Sequence, residues 1–213
     1  MTYQTYIFDL DGTLLDTLGD LAAAVNYALR THGMPEHSID DVRRFVGNGV
    51  RKLMERAVPD GEAHPDFEAA FATFREYYMH HSLDTTKPYE GIPEALNALK
   101  SKGCRLAVVS NKMMAATQEL CRHFFPDTIE VAIGENEAAG IRKKPAPDIV
   151  IAALKALGVG QKGAVYDGDS DVDIETARNS GLPCISVLWG FRDREFLLQH
   201  GATTFISDPL ELL

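Results

Sequence analysis

The run Ile7-Phe8-Asp9-Leu10-Asp11-Gly12-Thr13-Leu14-Leu15-Asp16-Thr17 decides how the rest of the chain is read. An apolar segment, Tyr6 to Phe8, leads into two carboxylates two residues apart, and a glycine then ends it. The pattern is that of a short buried strand delivering Asp9 and Asp11 to its carboxyl end, with Gly12 free to make a sharp turn. Two carboxylates so close repel each other and sit badly in a solvent-poor sheet. A cation between them relieves both costs. The remaining chain is therefore expected to bring that cation's other ligands and an anion for it to hold.

The alternation that follows sets the fold class. From residue 17 to about 86 there is helix after helix and no convincing strand. Asp20 to Arg30 carries Leu21, Ala24, Val25, Ala28 and Leu29 at helical spacing. Ser38-Ile39-Asp40-Asp41 looks like a helix cap, Gly47-Asn48-Gly49 breaks that helix, and Asp66 to Leu83 carries Phe67, Phe71, Phe74 and Tyr78. At Lys87-Pro88-Tyr89-Glu90-Gly91 the character changes. Arg105 to Ser110 is an apolar strand of the kind buried on both faces. Strands are expected at 129–133, 163–167, 184–188 and 203–206, alternating with helices at 113–123, 147–157, 171–180 and 193–199. Such alternation predicts an α/β protein with a doubly wound parallel sheet, built from residues 1–16 and 87–213, with an inserted all-helical domain at 17–86.

The totals narrow the possibilities. With 213 residues the chain is long enough for one large domain, or a medium one plus a small one. A formal net charge of −10 argues against broad binding to nucleic acid or an anionic membrane. Cys104, Cys121 and Cys184 are odd in number and widely spaced, which fits a reducing cytoplasm better than a disulfide framework or thiolate zinc site. No segment approaches the length of a membrane span, and no secretory signal is expected before Asp9.

In an open parallel sheet ligands bind beyond the carboxyl ends of the strands. Those ends carry Asp9 and Asp11, then Ser110 and Asn111, then Asp167-Gly168-Asp169-Ser170-Asp171-Val172-Asp173; Lys143-Lys144-Pro145 precedes a helix. Each has an ordinary reading: a turn for Asp11-Gly12, a strand-end hydroxyl for Ser110, a solvated charge run for the lysines, a helix cap for the acidic cluster. A calcium loop fails in both registers, because Val172 or Ile174 stands where glycine is required and Arg178 or Ser180 where glutamate is. Carboxylates, a hydroxyl and a lysine at one sheet edge together suit Mg²⁺ and a phosphate.

The ordered set Asp9-Leu10-Asp11-Gly12-Thr13, Ser110, Lys144-Pro145 and Gly168-Asp169-Ser170-x-x-Asp173 resembles the four motifs of the haloacid dehalogenase-like superfamily. Within it, the opening run, Val46-Gly47-Asn48-Gly49-Val50 and Ser110-Asn111-Lys112 are similar to phosphoglycolate phosphatases. The resemblance implies a Rossmann-like core with a helical cap; a cytoplasmic location, from the totals above, and a monomer or homodimer are expected. The activity implied is Mg²⁺-dependent hydrolysis of a small phosphorylated metabolite. Asp9 would be the nucleophile and Asp11 the acid and base. Asp9, Asp169 and the backbone carbonyl of Asp11 would hold the metal. Asp173 would stand behind it, through water or directly, or would orient Lys144. Ser110 and Lys144 would hold the phosphoryl oxygens, assisted by Thr13 and the amide of Asn111. In the cap, Gly47, Asn48 and Gly49 open a helix whose free amides would receive a small carboxylate, with Arg51 assisting. Asp167 departs from the pattern, which has an apolar residue before Gly168; an extra acid behind the metal and a misfit are both open readings. A sugar phosphomutase or another small-metabolite or pyrophosphate phosphatase shares the core motifs, and a phospho-accepting switch would use a similar acidic pocket.

Overall fold

In the computed structural model, which describes residues 3–136 and 140–213, strand β1 (Thr5–Phe8) is buried along its whole length. The short strand β2 (Leu15–Asp16) pairs with β3 (Lys87–Pro88) in a separate two-stranded ladder. Strands β4 (Arg105–Met113), β5 (Val131–Glu135), β6 (Ala164–Gly168), β7 (Cys184–Val187) and β8 (Phe205–Ile206) complete the main sheet. Its order is β5-β4-β1-β6-β7-β8, and its ladders are parallel. The chain steps outward from β1 to β4 and β5, then returns to lay β6, β7 and β8 on the other side. β1 therefore lies at the point where strand order reverses, which is where a crevice opens in such sheets.

Two compact units divide the chain, one of residues up to Leu15 with Pro88–Leu213, the other Asp16–Lys87. In the helical unit, α1 (Leu18–Thr31), α2 (Ile39–Phe45), α3 (Val50–Ala57) and α4 (Phe67–His81) follow one another. Ser38 caps α2 with Asp41 in a reciprocal capping box. Asp20, on the first turn of α1, is buried and accepts four close hydrogen bonds: Thr85 N at 2.9 Å, Thr85 Oγ1 at 2.5 Å, Thr86 N at 2.9 Å and Thr86 Oγ1 at 2.7 Å. One carboxylate thus ties the segment that leaves the unit to the helix that opens it.

In the sheet unit, α5 (Ile92–Ser101), α6 (Met114–Phe124), α7 (Asp148–Leu157), α8 (Asp171–Asn179) and α9 (Arg194–Gln199) alternate with the strands. Alternate residues of β1 point to opposite faces. Tyr6 and Phe8 pack with Leu106, Val108 and Leu96 on one face, Ile7 with Ala107, Val109 and Ile149 on the other.

Strand limits differ from the sequence reading by one to three residues at several ends, the last strand starting at Phe205 rather than 203, and two of the differences have a visible cause or consequence. The third strand begins at Val131 rather than 129, because the amides of Thr128 and Ile129 bond Phe125 O and close the preceding helix. The second runs on to Met113 instead of ending at Ser110. Its register slips there: β4 advances from Val109 to Met113 while β5 advances only from Ile133 to Glu135. Ser110, Asn111 and Lys112 lie on this bulge, a device that re-aims side chains beside active sites.

Replacing Asp20 by Ala leaves the Thr85 and Thr86 donors without their acceptor. The expected loss is about 2–4 kcal/mol of stability, read from urea unfolding, with faster amide exchange at residues 85 and 86 and a smaller loss for Asp20→Asn.

Candidate active site

Past β1, the carbonyl of Leu10 accepts from the amides of Thr13, Leu14 and Leu15, which coils the chain tightly around Asp11 and Gly12. Gly12 has φ +90°, and a Cβ there would lie 2.4 Å from Asp169 Oδ2. Gly190 closes on the same carboxylate next to Gly12, where a Cβ would meet Asp169 Cβ at 2.3 Å and Gly12 O at 2.5 Å. Backbone at both glycines therefore fixes Asp169. Phe191 N donates to its Oδ2 at 2.7 Å and Thr13 Oγ1 to its Oδ1 at 3.3 Å.

Lys144 is the centre of the site, only 4% exposed. Its Nζ donates to Asp9 Oδ1 at 2.6 Å, Asp173 Oδ1 at 2.8 Å and Tyr166 OH at 3.2 Å. An ammonium has three N–H groups, and each has a partner. Tyr166 in turn donates to Asp173 Oδ1 at 2.8 Å. The backbone of Lys144 is clamped by Asn111, which accepts from Lys144 N at 2.8 Å and donates to Lys144 O at 3.0 Å. The Lys144–Pro145 peptide bond is cis.

Asp173 joins two of the sequence readings. Its Oδ2 accepts from Ser170 N at 3.1 Å and Ser170 Oγ at 2.5 Å, which caps α8, while its Oδ1 faces Lys144. Helix cap and charge partner are the two oxygens of one carboxylate.

Asp9, Asp169 and Asp173 each offer an oxygen within 4.8 Å of the others. Three buried carboxylates against the one ammonium of Lys144 leave an excess of negative charge. Burial pushes the Asp9 carboxyl well above its ordinary range against the pull of Lys144, and burial followed by the charge of Asp173 pushes Asp169 up to about 7. Burial alone would lower Lys144, but Asp173 and Asp9 outweigh it and keep the side chain an ammonium. A hard divalent cation would relieve the excess, and carboxylate oxygens are its preferred ligands. With Asp173 committed to Lys144, Tyr166 and Ser170, the oxygens left to such an ion are those of Asp9 and Asp169. The donor set fits the group.

Asp11 stands apart from this network. Its Oδ1 lies 2.9 Å from Lys112 Nζ, an ion pair that lacks the angle of a hydrogen bond. Ser110 is buried and its Oγ accepts from Lys112 N at 3.1 Å, the strand-end bond to local backbone. Thr13 meets Asp169 through its hydroxyl, and Asn111 meets Lys144 through its side chain, so both act on residues of the site. The sequence reading left Tyr166 without a role and Lys112 only within a motif; each stands beside polar residues of its strand that the reading did single out, Asp167 on β6 and Ser110 and Asn111 on β4.

The remaining predicted residues lie in the helical unit. Gly47, Asn48 and Gly49 all have positive φ, and α3 starts at Val50 with no side-chain cap. Arg56 holds the loop through Phe45 O at 2.6 Å and Gly47 O at 3.3 Å. Arg51, expected to assist a bound carboxylate, has its guanidinium on Glu62 at 2.7 Å and Glu68 at 2.6 Å and over the rings of Phe67 and Phe71. The oppositely charged partners and the aromatic faces of its own unit take up its charge.

Asp167, the departure from the family pattern, pairs in register with Phe8 and Ile185, fully buried. Among the described residues neither of its carboxyl oxygens has a hydrogen-bond partner, and burial pushes its pKa well above the ordinary 3.8.

The family described as haloacid dehalogenase-like hydrolase matches residues 6–187. The chain belongs to this family. Within it, the chain is 36% identical over 189 residues to a phosphoglycolate phosphatase of Aquifex aeolicus, covering 88% of this chain and 86% of that one. It is 37% identical over 193 residues to a phosphoglycolate phosphatase of Caulobacter vibrioides, covering 89% and 81%. The crystal structure of a candidate phosphoglycolate phosphatase from Lactobacillus delbrueckii subsp. bulgaricus superposes with a TM-score of 0.94 at 38% identity, covering 100% and 97%.

Asp167→Val is expected to raise stability at neutral pH by about 1–3 kcal/mol, since it removes a buried polar group with no partner. The folded pKa lies above the unfolded one, so wild type is favoured at low pH and loses stability as pH rises from 3.8 through the raised value. Urea unfolding should therefore show the variant's advantage growing between pH 4 and pH 8.

Proposed function

We propose that this chain is a Mg²⁺-dependent phosphatase that hydrolyses a small phosphate monoester through an aspartyl-phosphate on Asp9, with 2-phosphoglycolate the leading substrate. The observation that carries it is the convergence of Asp9, Asp169 and Asp173 within 4.8 Å at the reversal of strand order, with Lys144 among them. The relatives named phosphoglycolate phosphatase support the substrate.

Asp9 and Asp169, with the backbone carbonyl of Asp11, would hold the ion, and Asp173 would stand behind it. The bound ion would supply positive charge to the phosphoryl oxygens. In the first step an oxygen of Asp9 attacks phosphorus, the ester P–O bond breaks, and Asp11 gives its proton to the departing oxygen. In the second step water attacks the acyl phosphate, Asp11 takes its proton, and inorganic phosphate leaves with Asp9 restored. Lys144 already has three partners, so it exchanges Asp9 Oδ1 for a phosphoryl oxygen as Asp9 turns to phosphorus. Tyr166 and Asp173 keep the ammonium in place during that exchange, and Ser110 supplies a hydroxyl.

The helical unit is assigned the choice of leaving group, with the amides of residues 47–49 receiving a small carboxylate. This makes it a cap in function.

The test is phosphate release from a panel of monoesters that includes 2-phosphoglycolate and glucose 1-phosphate. Release is expected to need Mg²⁺, to stop with EDTA, and to fall at least about 10³-fold in Asp9→Asn, as for loss of a nucleophile. No release from any ester, or release unchanged in Asp9→Asn, would overturn the reading. Conversion of glucose 1-phosphate to a second sugar phosphate would mark a mutase instead.

A further inference from the structure

Two lysines are buried on carboxylates of the opening motif, and the reaction described above uses one of them. Lys144 serves Asp9. Lys112, whose side chain is 3% exposed, serves Asp11, whose side chain is 16% exposed. An ammonium taken out of water is costly unless negative groups compensate it, and Asp11 is one such group. The main chain of Lys112 is held on several sides. Its amide donates to Ser110 Oγ at 3.1 Å, and its carbonyl accepts from Thr117 Oγ1 at 3.3 Å. Its carbonyl also passes so near Gly134 that a Cβ there would lie 2.5 Å away. The register slip of β4 carries this residue, so the bulge sets where its ammonium stands.

We infer that Lys112 is the positioning residue for Asp11: by pairing with Oδ1 it fixes the carboxyl's rotation and directs Oδ2 to the leaving oxygen. The inference rests on the phosphatase reading. In its terms the proton moves from Asp11 Oδ2 to the ester oxygen as the P–O bond breaks. The carboxylate that results remains opposite the Lys112 ammonium, which offsets its charge without touching substrate.

A role confined to proton transfer has a signature that packing alone does not give. An alkyl monoester leaves as a poor alkoxide that needs the proton, whereas p-nitrophenolate departs without one. Loss of Lys112 should therefore be selective for the leaving group. The experiment compares kcat/KM of wild type, Lys112→Met and Lys112→Arg on 2-phosphoglycolate and on p-nitrophenyl phosphate. The expected loss in Lys112→Met is on the order of 10–100-fold on the alkyl ester, with at least a tenfold smaller loss on the aryl ester, and Lys112→Arg should recover most of it. In an Asp11→Asn background the further effect of Lys112→Met on the alkyl ester should shrink to about twofold or less, since both changes remove the same function. Equal losses on the two esters, or full additivity with Asp11→Asn, would overturn the inference and place Lys112 on the phosphoryl group or in packing. If Lys112→Met does not fold, Lys112→Gln, which also removes the charge but keeps a polar end, carries the same leaving-group comparison. Wild type inactive on every ester would remove the phosphatase reading first, and this inference with it.

Discussion

Asp9, Asp169 and Asp173 converge on one ammonium inside a parallel sheet, and much of the site exists to hold that imbalance. Charges so close and so dry do not keep their places by attraction alone. The backbone immobilises them instead. Gly12 and Gly190 bring main chain against Asp169, and the amide of Phe191 occupies one of its oxygens. Asn111 holds the main chain of Lys144 by both its donor and its acceptor. Ser170 holds one oxygen of Asp173 and leaves the other for Lys144. With these groups fixed, the unmet negative charge points to a cation, and the position beside Asp9 points to a phosphoryl group.

The same constraint separates the two acids of the opening motif. Asp9 and Asp11 are two residues apart in the chain, yet each faces its own buried lysine. Asp9 belongs to a crowded network in which its partner has other anchors, so it can be released toward phosphorus while Lys144 stays in place. Asp11 pairs instead with Lys112 on the β4 bulge, an arrangement that suits the acid and base role proposed for it. Lys112 lies on β4 and Lys144 between β5 and α7, so the two pairings are a property of the sheet's winding.

The outline of this fold was legible because its cues are local. An apolar run before Asp9 and alternating apolar strands and amphipathic helices follow from periods that a sequence displays directly. The core motifs were legible for the same reason, three being polar clusters at strand ends and the fourth, Lys144-Pro145, a charged turn before a helix. Three features were not. The bulge at Ser110 to Lys112 depends on how β4 and β5 match, and neither strand carries a mark of it. Arg51 reads as a free cation beside a glycine turn, but Glu62 and Glu68 reach it only after the helical unit folds. Asp167 reads as one more acid in an acidic cluster, whereas on β6 it is fully buried and, among the described residues, its carboxyl oxygens have no hydrogen-bond partner.

By itself the sequence determined the sheet class, the order of the elements and the short list of chemically useful residues, since those depend on spacing along one chain. Only the tertiary structure decided which oxygen answers to which cation. It gave Asp173 to a helix cap and to Lys144 at once, turned Thr13 and Asn111 onto other residues of the site, and brought Lys112 to Asp11. The physical reason is that an ion pair is settled over a few ångströms in space, between groups whose separation along the chain carries no trace of the meeting.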